Sequence, residues 1–343
     1  MNSQWKSFLE SQSAQVSSDN EVRFISEAPF PPCALFDLSH LGLIRVSGED
    51  AQSFLQGQFT NDTREVTDRW SQLSAYCSPK GRMLANFRIF QHQGDYFLQM
   101  PKETHAAVLK RLPMFVLMSK ATVTDASEEI VAIGLAGDCA EALLQKHFSS
   151  LPGKPGAVVQ HDAITLIRLP GVPARYQLIG AVETVSTLWS ELSTTAQPAN
   201  RDYWSLLDIR AGIPTIYQAT SDAFVPQMTN MQQVDGVSFT KGCYTGQEVV
   251  ARMKYLGKLK RRMYLASVDT DTQPMPGDEL FAPGSESGQG AGRVVEASPS
   301  PKGGYELLIV TEIKNFEADN LHLQGDNGPK LKPGSLPYGF DER

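Results

Sequence analysis

The stretch Phe239-Thr-Lys-Gly-Cys-Tyr-Thr-Gly-Gln-Glu-Val-Val-Ala-Arg252 is the most informative segment of this 343-residue sequence. The glycines on both sides of Cys243 permit an open or closely packed backbone. The residues from Gln247 to Leu256 follow a helical pattern, so Cys243 is predicted to lie just before a helix N-terminus, with Lys241 two residues away. Both the helix end and the lysine favour a thiolate. A loop cysteine that packs as a small apolar group is the alternative, and the residues leave both interpretations open.

A basic run follows this segment directly. Six of the eleven residues from 252 to 262 are Lys or Arg, in a chain with a net charge of −7. The negative net charge argues against a protein that coats nucleic acid generally, so a polyanion would need a local patch. A phosphate backbone or a polycarboxylate tail suits such a run, and a solvated surface is the alternative. The basic residues are Arg252, Lys254, Lys258, Lys260, Arg261 and Arg262.

Short groups of strands alternate with helices up to about residue 257, which predicts an α+β fold rather than a doubly wound sheet. Strands are predicted from alternating apolar residues, and helices from apolar residues three and four positions apart. The predicted strands are Leu41–Val46, Leu73–Cys77, Met83–Phe90, Tyr96–Met100, Glu129–Gly137, Ala163–Leu169 and Tyr176–Gly180; the predicted helices start at about 51, 103, 138, 183, 199 and 247 and end at about 56, 118, 148, 195, 211 and 256.

The pattern changes after about Lys258. Arg262–Val268, Gly290–Ala297 and Tyr305–Thr311 are predicted strands separated by Pro/Gly turns, without any helical pattern, which indicates a small β-barrel or sandwich. A chain of 343 residues also exceeds what one hydrophobic core usually serves. We therefore expect a polar, loosely held N-terminal arm at 1–30, an α+β region at 31–257 and a C-terminal β-domain at 258–343.

Cysteine spacing and missing motifs narrow the function classes. Cys33, Cys77, Cys139 and Cys243 lie far apart and form no CxxC pair, so neither a zinc-finger spacing nor a redox dithiol is indicated. No apolar run has the length of a signal peptide or a membrane span, so we expect a cytoplasmic protein with reduced thiols. The histidines are scattered, and HExxH, Walker A and GxGxxG motifs are missing, so no metal site is expected.

The segment Lys241-Gly-Cys-Tyr-Thr-Gly-Gln-Glu248 resembles the signature of the YgfZ family of folate-binding, tRNA-modifying proteins. Further landmarks match in the same order, and the resemblance covers roughly residues 34–340. These landmarks are Phe54-Leu-Gln-Gly-Gln58, Pro79-Lys-Gly-Arg-Met83, Trp204 with Ala211 and Gly212, and Phe224-Val-Pro-Gln227. Because the family is similar in fold to the aminomethyltransferase (T-protein) of the glycine cleavage system, the resemblance implies a ring of two interleaved α+β domains plus a small C-terminal β-barrel.

The resemblance also implies a ligand and a role. It implies that tetrahydrofolate or another reduced folate binds against Trp204 and that Cys243 is the functional thiol. It implies support of iron–sulfur-dependent tRNA modification, notably methylthiolation, and of iron–sulfur cluster assembly or enzyme repair. The implied partners are folate, iron–sulfur enzymes such as a tRNA methylthiotransferase, and tRNA; the basic run would receive a polyglutamate tail, a tRNA or an acidic partner. The signature loop around the thiol consists of Lys241, Gly242, Tyr244, Gly246, Gln247 and Glu248.

Two positions depart from the family pattern. A second folate-contacting tryptophan would fall at Leu41, so one stacking face is missing. The aminomethyltransferase has an aspartate where Asn86 stands here, and a neutral amide can neither act as a base nor make the same charge-assisted contact. We therefore expect no autonomous turnover of the aminomethyltransferase kind. A folate-dependent one-carbon transferase that acts on a protein or RNA group is the alternative.

Overall fold

The chain divides into two compact units that are interleaved along the sequence. The structure is a computed structural model that describes residues 1–26, 28–283 and 290–340. Unit 1 comprises Met1–Gln56, Thr63–Gln72 and Phe87–Trp204, and unit 2 comprises Gly57–Asp62, Leu73–Asn86 and Ser205–Arg343. Glu27 of the expected arm, and 284–289 and 341–343 of the expected C-terminal domain, lie outside the described residues. The domain boundaries expected near residues 30 and 257 stay a prediction.

Unit 1 contains helices and two sheets. Its helices are α1 (Ser3–Ser11), α2 (Ala51–Gln56), α3 (Lys102–Arg111), α4 (Ala140–Leu144) and α5 (Val182–Leu192), and α6 (Arg201–Arg210) continues into unit 2. The first strands along the chain are β1 (Ala14–Val16), β2 (Val22–Phe24), β3 (Cys33–Asp37), β4 (Leu41–Ser47), β5 (Gln72–Cys77), β6 (Met83–His92) and β7 (Asp95–Pro101). They are followed by β8 (Thr122–Asp125), β9 (Val131–Gly137), β10 (Val158–His161), β11 (Ile164–Leu169), β12 (Arg175–Gly180) and β13 (Gln197–Ala199).

The strands of unit 1 build a six-stranded sheet in the order β10-β11-β12-β9-β3-β13. Its neighbours are antiparallel except β13 and β3, which are parallel. A second sheet has the order β5-β6-β7-β4-β8, and the unit boundary falls within β6, after Asn86. The α+β class expected from the sequence is confirmed.

The N-terminal residues are part of the core of unit 1, so the expectation of a loose arm is wrong. Trp5 and Leu9 lie four residues apart on one face of α1 and are fully buried. The indole Nε1 of Trp5 donates to Asp37 Oδ1 over 2.8 Å, and the Trp5 and Trp189 rings meet edge to face. Two large apolar side chains on one helical face were enough to order a segment that is otherwise polar.

Cys33 and Cys139 form a disulfide bridge, which corrects the expectation of four reduced thiols. The two residues are separated by 106 positions in the sequence, but β3 and β9 are antiparallel neighbours. Their register places Cys33 opposite Gly137, so Cys139 follows only two residues later, with 5.7 Å between the cysteine Cα atoms. Strand pairing created this proximity, and sequence spacing gave no sign of it.

The third helix is shorter than expected. The pattern predicted a helix over 103–118, whereas α3 ends at Arg111 and a 3-10 turn follows at Leu112–Phe115. Pro113 explains the ending, because proline has no N–H for the helical hydrogen bond. No helix in the described part of the chain is long and apolar enough to cross a membrane.

Unit 2 ends in the predicted small barrel. Its helices after α6 are α7 (Gln247–Tyr255) and α8 (Ile313–Glu317), and its strands are β14 (Arg261–Val268), β15 (Glu279–Phe281), β16 (Gly292–Pro299), β17 (Tyr305–Glu312), β18 (His322–Leu323) and β19 (Leu331–Pro333). They form an antiparallel sheet in the order β18-β15-β16-β17-β14-β19. A bridge between His322 and Lys330 brings the two ends together, so the sheet nearly closes. The expectation that this region lacks helices is wrong, because α8 is too short to give a periodic pattern.

A β-bulge in β16 buries a carboxyl group in unit 2. Val294 pairs with Ile309 and Glu296 with Leu308, which leaves Val295 as the extra residue. The bulge shifts the alternation of side chains, so Glu296 is buried rather than exposed. The Tyr217 hydroxyl donates to Glu296 Oε1 over 2.7 Å. Burial, together with the nearby Asp208 carboxylate, raises the pKa of Glu296 to about 7.

This buried carboxyl group predicts a pH-dependent stability. The native state keeps a proton on Glu296 that the unfolded chain releases above about pH 4.5, so the free energy of unfolding should fall as the pH rises from about 4.5 to 7. The loss is on the order of 3 kcal/mol, since one pKa unit corresponds to about 1.36 kcal/mol. Glu296→Gln should therefore be more stable than the wild type at about pH 8 and lose this dependence. Urea unfolding at several pH values measures it.

Glu279→Gln is the matched control for this measurement. Glu279 lies on the neighbouring strand β15, and its side chain is largely exposed. Its substitution should leave the pH dependence as in the wild type. An equal pH dependence in the wild type and in Glu296→Gln would contradict the assignment to Glu296.

Candidate functional site

The signature loop of unit 2 is anchored on one side by Lys241. This lysine is only 5% exposed, and its Nζ donates to the carbonyl oxygens of Phe59 and Asn61 over 2.6 and 2.9 Å. The same ammonium group lies 5.2 Å from the centre of the Tyr244 ring. We expected Lys241 to act as a neighbouring charge for Cys243, but its ammonium group is instead directed at backbone carbonyls. Lys241 is therefore an anchor of the loop.

The segment that receives Lys241 is itself fixed. Asn61 Nδ2 donates to the carbonyls of Leu73 and Asp235, and Thr60 Oγ1 donates to the carbonyl of Gly236. All of these groups are buried or partly buried, so breaking them would leave polar atoms unsatisfied. The loop is thus tied to a rigid part of unit 2.

Gly246 anchors the other side of the loop by close backbone contact. It precedes α7 with a φ of +83°, and a Cβ at this position would lie 2.8 Å from Gly81 Cα and would also meet the carbonyl oxygen of Ser78. Only glycine tolerates both the conformation and the contact. The Gly81 landmark and the signature, far apart in sequence, are therefore packed against each other. Gly242 has open space at its Cβ position and is not required for this packing.

Cys243 is exposed between these two anchors, four residues before Gln247, the first residue of α7. Its neighbour Tyr244 is buried, and Gln247 Nε2 donates back to the carbonyl of Gly242 over 3.5 Å. The other free cysteine of the described chain is Cys77, which is fully buried. Burial raises the pKa of the Cys77 thiol to about 12, so Cys77 is not a nucleophile. Cys243 is thus the free thiol that a ligand or partner can reach.

Glu248 is exposed in the first turn of α7, where an acidic side chain stabilises the helix through its dipole. In the described part of the chain, no group of three or more His, Cys, Asp or Glu side chains is placed to hold a metal ion.

The basic run does not form one patch. Lys254 Nζ lies over the Phe239 ring, at 4.3 Å from its centre, and the Arg262 guanidinium lies over the Phe340 ring at 4.2 Å. Arg252 is on α7. The remaining three members, Lys258, Lys260 and Arg261, line a cavity of about 1030 Å³ in unit 2. Arg82 and Arg293, which the sequence did not connect with the run, line the same cavity.

Trp204 lies in unit 1 and is largely covered. Its side chain is 3% exposed, its ring centre is 5.0 Å from that of Phe36, and the Arg175 guanidinium lies 5.2 Å from its centre. The indole also packs directly over Gly134, where a Cβ would collide with it. Core packing is thus part of its role.

Two glutamines beside Trp204 were missed by sequence reasoning. Gln177 pairs with Gly134 across β12 and β9, so it lies on the sheet face that Trp204 covers. Gln177 Nε2 donates to Gln99 Oε1 over 2.8 Å, and both side chains are buried. Gln99 Nε2 is also buried and has no hydrogen-bond partner among the described residues. The available signal was a single glutamine inside each of two apolar strands, β7 and β12.

Asn86 and Leu41 have structural surroundings that explain their residue types in part. Asn86 Nδ2 donates to the carbonyl of Pro214 over 2.7 Å, and Asn86 Oδ1 accepts the N–H of Ile216 over 2.8 Å. Both ends of this amide are thus used by the backbone of unit 2. Leu41 begins β4, opposite Pro101, and is partly exposed.

Comparisons with known proteins agree with this architecture. Residues 6–180 match the family model of the GCVT N-terminal domain. The chain is 34% identical over 312 residues to the tRNA-modifying protein YgfZ of Klebsiella pneumoniae (strain 342), a match that covers 91% of this chain and 94% of that protein. The glycine cleavage system aminomethyltransferase T of Bartonella henselae shares the fold, with a TM-score of 0.69 over 90% of this chain and 87% of that one, at 15% identity. The chain therefore belongs to the YgfZ family and has the fold of the glycine cleavage T-protein.

Proposed function

We propose that this protein is a folate-binding accessory protein that supports tRNA modification through the thiol of Cys243. The observation that carries the proposal is the exposed thiol on a loop with a buried anchor on each side. The relative of Klebsiella pneumoniae, to which the chain is 34% identical, is a tRNA-modifying protein. We place this role in the cytoplasm.

A thiol held in this way is suited to contact with another protein. Cysteine thiolate is the nucleophilic form and is a soft metal ligand, which suits iron–sulfur clusters. Because the anchors restrict the loop before binding, little conformational entropy is lost when a partner docks. We therefore propose iron–sulfur enzymes of tRNA modification, a methylthiotransferase among them, as the proteins that Cys243 serves in maturation or repair.

Tetrahydrofolate, or another reduced folate, is the proposed ligand. The residues of unit 1 fit a flat heteroaromatic ring such as a pterin, because the buried Gln99 Nε2 has a hydrogen bond left to donate to a ring acceptor. Gln177 would hold Gln99 in place, and Trp204 would form the adjacent aromatic wall. Reduced folates carry one-carbon units, which is the chemistry that the ligand would supply. An aminomethyltransferase reaction is not proposed, since Asn86 offers no carboxylate and its amide is used by the backbone.

Gln99→Met should weaken tetrahydrofolate binding by about tenfold or more, because the loss of a buried hydrogen-bond donor costs about 1–3 kcal/mol. Calorimetric titration with tetrahydrofolate under anaerobic conditions measures the dissociation constant. Gln145→Met, at an exposed position after α4, is the matched control and should bind like the wild type. Equal affinities of the Gln99 variant and the control would remove Gln99 from the ligand site.

Complementation tests the proposed function as a whole. The chain is expressed in a bacterial strain from which the YgfZ relative has been deleted, and methylthiolated nucleosides are quantified in its tRNA. Restored methylthiolation is the expected result. Unchanged methylthiolation despite abundant soluble protein would contradict the proposal.

A further inference from the structure

The cationic cavity of unit 2 has a net positive lining in a chain with negative net charge. Five of its lining residues are basic and three are acidic. The basic ones come from the turn before β6, from the segment between α7 and β14, from the start of β14 and from β16, so distant parts of the sequence converge on it. Apolar side chains, including Phe224, Met228 and Met253, form part of the wall. The basic lining residues are Arg82, Lys258, Lys260, Arg261 and Arg293.

The acidic groups of this cavity already have partners. Glu312 pairs with Lys314 at 3.2 Å and with Arg261 at 3.5 Å, and Glu279 approaches Arg293 at 3.9 Å. Asp222 accepts the hydroxyl of Ser78 over 2.7 Å.

Two lysines of the cavity remain available. Within the described ranges, neither Lys258 nor Lys260 has a carboxylate at ion-pair distance. Both residues are exposed at the cavity wall, so their charges can meet an anion from solution.

An exposed aromatic side chain lies next to these lysines. Tyr255, at the end of α7, is 64% exposed, and Leu256 is 84% exposed. Tyr255 precedes Lys258 by three residues, so their Cα atoms are at most about 11 Å apart. In the described structure Tyr255 makes no ring contact. An exposed aromatic ring beside a cationic groove is the combination by which proteins bind single-stranded nucleic acid, with bases on the ring and phosphates on the cations.

We propose that Tyr255 and the cationic cavity bind a single-stranded segment of RNA directly. Lys258 and Lys260 contact its phosphates, and Tyr255 stacks on a base. The exposed ring favours RNA over a polycarboxylate chain, which has no aromatic face to stack. A recessed cavity favours a single strand over a duplex, whose bases are paired inside the helix. The choice of RNA rests on the proposed function in tRNA modification, but binding is tested on purified protein and thus separately from complementation.

The test measures binding of a fluorescein-labelled oligouridylate to the full-length protein by fluorescence anisotropy, over a range of salt concentrations. The double variant Lys258→Gln/Lys260→Gln should bind at least about tenfold more weakly at low salt. It should also lower the slope of log affinity against log salt by about 0.7 for each phosphate that the variant no longer neutralises. Tyr255→Ala should lower the affinity by about tenfold at an unchanged slope, and Tyr255→Phe should restore it.

Lys302→Gln/Lys332→Gln is the matched control, because both lysines line a different cavity of unit 2. This variant has the same charge change and should bind like the wild type. The proposal is overturned if wild-type protein does not bind the oligonucleotide at low salt, or if the control loses as much affinity as the Lys258/Lys260 variant. It is also overturned if Tyr255→Ala binds normally, or if an oligoglutamate of equal charge displaces the RNA as well as unlabelled oligouridylate does.

Discussion

Replacing Cys243 by Ser is expected to reduce tRNA methylthiolation to the level of a strain that lacks the protein. Serine keeps the size and polarity of the side chain, but its hydroxyl is neither a comparable nucleophile nor a soft metal ligand at neutral pH. Because Cys243 is exposed and Lys241 and Tyr244 are the buried side chains of the loop, the free energy of unfolding should stay within about 0.5 kcal/mol of the wild type. Complementation with quantification of methylthiolated nucleosides, together with urea unfolding, measures both effects.

Thr240→Ala is the matched control for this prediction, since Thr240 is another exposed residue of the same loop. It should support methylthiolation fully. Cys77→Ser should behave in the opposite way to Cys243→Ser, because it places a hydroxyl in a buried apolar position and acts through stability. Full methylthiolation with Cys243→Ser would show that the thiol is not the working group.

Replacing Lys241 by Met is expected to destabilise unit 2 strongly, by about 3–5 kcal/mol. Hydrogen bonds to a charged group contribute about 1.5–3 kcal/mol each, and Lys241 makes two of them to backbone carbonyls. Methionine has a similar length but leaves the carbonyls of Phe59 and Asn61 without this donor. Urea unfolding measures the loss, and limited proteolysis should show cleavage in the released loop.

Lys80→Met serves as the control, because Lys80 is an exposed lysine in the turn that packs against the loop. Its substitution should change the free energy of unfolding by less than about 0.5 kcal/mol. A Lys241→Met protein as stable as Lys80→Met would show that Lys241 is not an anchor.

Long, strongly patterned elements could be predicted from the sequence. The strand at Leu41–Ser47, helix α7 and the long strands of the barrel follow the expected positions within one to two residues, because each exposes one face and buries the other. The short elements could not be predicted. β3 and the helix α8 have five residues each, so neither is long enough to show a clear pattern. α1 has nine residues and depends on Trp5 and Leu9 finding a core made by later parts of the chain.

The sequence by itself determined the family, the α+β class with its C-terminal barrel, and the segment that contains Cys243. These are properties of local pattern and of residue order. Tertiary structure alone decided that Lys241 points at backbone carbonyls, that Cys33 meets Cys139, and that Gln99 meets Gln177. It also separated Arg262 from Lys258 and joined Arg82 to the cationic cavity. These outcomes depend on contacts between residues far apart in the chain, and the pairing of strands and the packing of loops that bring such residues together leave no periodic signal in the sequence.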